Sequence, residues 1–97
     1  MSNSSEGHES MTKEELVSRL QEAVGDTTYG KTLVEEAAAT YGDSDKKYGY
    51  DMKDRLDVRL GVLKAYEAIH KNDGEEAKAT AEADKIAIVE KALKAIA

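Results

Sequence analysis

The chain contains no cysteine, no proline, no phenylalanine and no tryptophan. Without cysteine there can be no disulfide, no thiolate metal ligand and no cysteine nucleophile, a composition that suits a reducing compartment. Without proline, nothing forces a break in a helical segment. The only aromatic rings are five tyrosines, and the large aliphatics are few: seven Leu, six Val and four Ile. No apolar run approaches the ~18 residues of a membrane span. The first residues lack the charged and apolar regions of a signal peptide. A cytoplasmic protein with no membrane partner is therefore expected. Ninety-seven residues make one domain. A body this small buries only ~60–65 % of its unfolded surface, so its stability is marginal and a partner or self-association is expected.

Charge is what the chain has in quantity. Twenty acidic and fourteen basic residues leave a net charge of −6, which argues against direct binding to nucleic acid. The signs are interleaved along the chain, as a solubilising surface requires. The stretch Asp51–Asn72 departs from this acidity, with five basic residues against four acidic.

That stretch also has the densest apolar periodicity. Met52, Leu56, Leu60, Leu63, Tyr66 and Ile69 recur at steps of four and three, which places them on one helical face. Val62 and Ala65 widen the face. The remaining helices are expected to pack on this one. Residues 1–10, MSNSSEGHES, are small and polar without periodicity, and read as a disordered tail. Thr12 and Glu15 have capping-box spacing, and Met11 and Leu16 sit where a hydrophobic staple closes. A first helix is therefore expected over Lys13–Val24, ended by Gly25. A second is expected over Tyr29–Tyr41, carrying Leu33, Val34 and Ala37 and stopped by Gly42. The loop Asp43–Tyr50 separates it from the third, which Asp51 caps. Asp73 and Glu76 repeat the capping-box spacing before a fourth helix, Gly74–Ile96, whose face is Ala79, Ala83, Ile86, Val89, Leu93 and Ile96. Its early acids and late lysines suit the helix dipole.

The sharpest local pattern is GDTTYGKT at 25–32. It is similar to the phosphate-binding loop of P-loop NTPases, G-x-x-x-x-G-K-[ST], at every fixed position. The resemblance implies a phosphate cradle built on Gly25 and Gly30, with Lys31 on the β/γ-phosphates and Thr32 on magnesium. It covers eight residues. The segment before it, EELVSRLQEAV, reads as a capped helix where that family needs a buried strand, and 97 residues without strands cannot supply the parallel sheet. The expectation is a structural turn and helix start, with no NTP hydrolysis and at most weak anion binding by the amides and Lys31.

Weaker patterns fall away on spacing. Asp43-Ser44-Asp45 begins like a calcium loop, but Tyr48 occupies the glycine place and Asp54 the bidentate glutamate place. Gly42-Asp43-Ser44 is similar to the modified-serine site of acyl carrier proteins, but Asp45 stands where leucine should follow. A four-helix histidine phosphotransfer module carries its histidine mid-helix with a lysine three places on. His70 lies in a last turn with Asp73 there, and reads as a structural or surface histidine. The paired glutamates read as solvated first-turn acids or faces.

The expected fold is all-α: a single-domain antiparallel four-helix bundle over 11–97, behind a tail over 1–10. No enzyme chemistry, cofactor or metal is implied. The expected function is a small acidic protein-interaction module, a regulator, inhibitor or accessory factor. Its expected contacts are Tyr48 and Tyr50 in the long loop, with Lys46 and Lys47 as peripheral charges. Apolar surface near Ile86–Ile96 is expected to support self-association as a homodimer, because the two long helices outrun the short ones. Two other functions fit less of the chain: nucleotide or phosphate binding by Gly25, Gly30, Lys31 and Thr32, and acidic mimicry of nucleic acid, which would need acids in rows on one face.

Overall fold

The computed structural model describes residues 11–42 and 51–97. These form four helices: α1 Lys13–Val24, α2 Thr28–Thr40, α3 Met52–Asn72 and α4 Glu76–Ile96. There is no strand among the described residues, so the protein is all-α. The tail expected over residues 1–10 falls outside the described residues.

Each start and stop has a local cause. The Thr12 hydroxyl accepts the Glu15 N–H at 3.0 Å, which begins α1. The second half of the expected capping box is replaced: the Glu15 carboxylate pairs with Arg19 at 2.6 Å. Asp51 caps α3 by accepting the Asp54 N–H at 3.0 Å. The turn after α3 is a Schellman motif. Gly74 sits in the left-handed region at φ 76°, where only glycine is free of strain. Its N–H donates to the Lys71 carbonyl, and the Glu75 N–H donates to that of His70. This geometry corrects the expected Asp73/Glu76 capping box. Asp73 closes α3, and α4 begins two residues later than Gly74 behind Glu75, whose side chain makes no cap. The Glu75 carboxylate is held by His70 and Lys78 instead.

The core joins all four helices. Leu20, Leu33, Leu56, Val24 and Val89 are its largest fully buried side chains. Ala37, Ala92 and Ile96 complete its floor, with Leu16, Met52 and Leu63 at its margins. α3 packs on α4, α1 packs on both α2 and α4, and α2 also touches α4. The helix that touches all the others is thus α4, not α3. Alanine explains the exchange: Ala79 and Ala92 are buried, and small side chains let several neighbours approach one axis. Where α2 faces α3 the link is electrostatic. Glu36, four-fifths covered, reaches Arg59 at 2.7 Å and Arg55 at 3.9 Å.

Along α3 and α4 the pairs Lys64–Glu90 (3.9 Å) and His70–Glu82 (3.7 Å) step away from the Gly74 turn together. Buried residues of α3 lie mostly in its first half, and those of α4 mostly in its second. The far part of this hairpin has little but itself to pack on.

Candidate functional site

The glycine-lysine segment lies in a helix-turn-helix corner. Thr27 is its keystone. Its hydroxyl donates to the Val24 carbonyl at 3.2 Å and accepts the Gly30 N–H at 2.9 Å. Gly30 is buried against the end of α1. A Cβ there would stand 1.7 Å from the Val24 oxygen and 2.7 Å from the Thr27 oxygen. The glycine therefore answers to backbone packing. Gly25 ends α1 in ordinary right-handed geometry, its N–H bonded to the Gln21 carbonyl. Lys31 and Thr32 are exposed on α2. The Thr32 hydroxyl donates back to the Thr28 carbonyl at 3.3 Å, and the Lys31 N–H to that of Thr27 at 2.9 Å. The element before this segment is α1, a helix, where a phosphate-binding loop would have a strand. Lys46, Lys47, Tyr48 and Tyr50 lie outside the described residues.

A second cluster forms where α3 turns into α4. His70 Nδ1–H donates to Glu75 Oε1 at 3.0 Å, and Nε2 stands 3.7 Å from Glu82. The imidazole stacks on Tyr66, with ring centroids 6.4 Å apart. The hydrogen bond from His70, then the hydrogen bond and charge of Lys78, hold the Glu75 carboxyl below the usual carboxylate range. Every member has an internal partner, and the arrangement does structural work: it ties the two ends of the Schellman turn. Lys53 is raised from its ordinary value by its bond to Asp57, the pair being 2.9 Å apart on the solvent side of α3.

The surface that departs from expectation is the outer side of α3. Val58, Val62, Tyr66 and Ile69 are 46–60 % exposed. They recur at steps of four and three, so they form one continuous stripe. It is centred roughly 110° around the helix from the buried face of Met52, Leu56 and Leu63. Ala65 lies within the stripe, and Gly61 and Ala68 beside it, all exposed. Tyr66 and Ile69 were expected in the core; the structure turns them outward because α4 covers only one side of α3. Conversely, the Ile86–Ile96 surface expected to be bare is largely covered. Val89, Ala92 and Ile96 are buried and Ile86, Ile88 and Leu93 partly so, with α1 lying over α4. A signal for the outer stripe was present in the sequence. Met52–Asn72 has more apolar positions than one face can hold: from Ala65 through Tyr66 to Leu60 they span an arc of roughly 220° on a helical wheel.

No family model matches the chain, and neither does any curated protein or solved structure. Among the described residues no three His, Asp or Glu side chains are grouped to hold a metal ion, and no helix is long and apolar enough to cross a membrane.

Proposed function

We propose that this chain is a non-enzymatic helical interaction module whose docking surface is the outer face of α3. One observation carries the reading: among the described residues, four of the five exposed large hydrophobic side chains lie in a single stripe on one helix. Isolated exposed apolar residues are ordinary on any protein. Four neighbours, each about half uncovered, leave on the order of 400 Å² of contiguous apolar surface, the size of the largest patch on a typical monomer, which is often functional. The supporting scaffold is read as an antiparallel four-helix bundle, because both described turns are short. Its cellular role is read as regulator, inhibitor or accessory factor, acting in the cytoplasm.

The stripe presents an aromatic anchor, Tyr66, held by its stack on His70. Rigid tyrosines are enriched among the residues that dominate binding energy. Beside it Arg55 and Arg59 supply a polar rim. The test is photo-crosslinking from a probe placed at position 62, with the same probe at Lys31 as control. The expected result is a protein adduct from position 62 and none from position 31. Equal labelling from both positions, or none from either, would remove the docking surface.

A further inference from the structure

His70 lies in the last turn of α3, four-fifths covered, with a carboxylate against each ring nitrogen. Nδ1 is 3.0 Å from Glu75 and Nε2 is 3.7 Å from Glu82. An ionised carboxylate only accepts, and a neutral imidazole carries a single N–H. The shorter contact, at Nδ1, takes it. In the neutral ring Nε2 then turns a lone pair toward the Glu82 oxygen, and the two repel. Only the imidazolium has an N–H for each carboxylate. Glu82 needs that second N–H. Its side chain is 17 % exposed, and among the described residues His70 is its only polar partner. A carboxylate covered to this degree is costly unless a donor or a cation meets it.

The two lysines of this turn are engaged elsewhere. Lys78 lies 3.2 Å from the second oxygen of Glu75, and Lys71 lies 3.5 Å from Glu67. Tyr66 meets the ring by stacking. Asp73, which closes α3, adds a further carboxylate at this end, and the last carbonyls of the helix add the negative pole of its dipole; both favour a cation here. We propose that His70 is a proton-operated latch for the tip of the α3–α4 hairpin. The imidazolium bridges Glu75 and Glu82 and fastens the two helices together. Loss of its proton releases Glu82. The proton is bound in acid, so the link is present there and is lost as pH rises. One link matters at this place, because buried side chains of α3 and α4 lie mostly at the other end of the hairpin.

Thermal unfolding of the full chain at about pH 8 and about pH 5.5 tests this; the two values bracket the ordinary histidine range and lie above that of carboxylates. Glu82→Gln is the informative variant, because its effect changes with pH. At the higher pH its amide N–H donates to the Nε2 lone pair, so it should melt no lower than the wild type. In acid it lacks the charge that holds the imidazolium, and should melt below the wild type by about 4 °C or more. In a His70→Gln background the same change should have an effect independent of pH, which separates His70 from His8 and from every other titrating group. Hydrogen exchange reads the wild type directly. After correction for the intrinsic effect of pH, the amides of Ala79–Glu82 should exchange about threefold or more slowly in acid. A gap between wild type and Glu82→Gln that is equal at both pH values overturns the latch. So does a gap that widens as much without His70, or amide protection that does not change.

Discussion

Replacing Gly30 by alanine sets helix propensity against backbone packing, and the structure says which wins. By propensity alone the change should stabilise α2 by about 0.8–1 kcal/mol. The new Cβ, however, would stand 1.7 Å from the Val24 carbonyl oxygen and 2.6 Å from its carbon. Carbon and oxygen approach no closer than about 3.3 Å even in weak hydrogen bonds. The start of α2 must therefore draw back from the end of α1 by on the order of 1.5 Å. That displacement breaks the Thr27 bridge, whose capping half is worth about 1 kcal/mol. It also disturbs the packing of Val24 and Leu33, at a cost of roughly 1–3 kcal/mol for a forced core shift. Less the propensity gain, the net loss is about 1–3 kcal/mol. In a domain of this size it lowers the melting temperature by roughly 4–24 °C. Urea unfolding followed by far-ultraviolet circular dichroism, at dilute protein, measures it directly. A Thr27→Ala change should cost about 1 kcal/mol. The double variant should lose less than the sum, because both changes remove the same bridge. A Gly30→Ala protein as stable as the wild type, or more so, would refute the corner as the reason for this glycine.

Two further expectations follow from burial and charge. Leu56→Ala removes a fully covered side chain and should cost about 2–5 kcal/mol. Ile69→Ala, at a position half exposed, should cost under about 1 kcal/mol in the monomer; equal losses would show that Ile69 is core. Glu75 has a depressed folded-state pKa, chiefly through its bond from His70. Its contribution to stability is thus present above the ordinary carboxylate pKa of 4.5 and lost as pH falls from there through the folded value. Glu75→Gln should be less stable than the wild type at neutral pH and converge with it in acid; a gap unchanged at pH 3, well below that ~4.5 reference, would show that the carboxylate's charge is not involved.

Helical periodicity and caps act over four residues, so they were legible without any tertiary information. α1 falls on the expected Lys13–Val24, and α2 starts one residue early, at Thr28, with Thr27 as its cap. The start of α4 was missed because Asp73 and Glu76 match a capping box by spacing alone, while Gly74 in its left-handed conformation gives the turn a different set of bonds. The match of 25–32 to a phosphate-binding loop has the same origin. A close crossing of two backbones also demands glycine, and a pattern of residue types does not say which backbone lies opposite.

The amino-acid sequence by itself determined that this protein is helical, where three of its four helices begin to within a residue, and that it is acidic with a basic third helix. Each of these depends on neighbours within about one turn or on composition. Only the tertiary structure decided that α4 is the helix on which the others converge, that Gly30 is a contact point, and that Val58, Val62, Tyr66 and Ile69 face outward. An apolar position on an amphipathic helix states a demand for burial; which demands are met depends on where the other helices lie. Here α4 satisfies one side of α3, and the other side is left facing solvent.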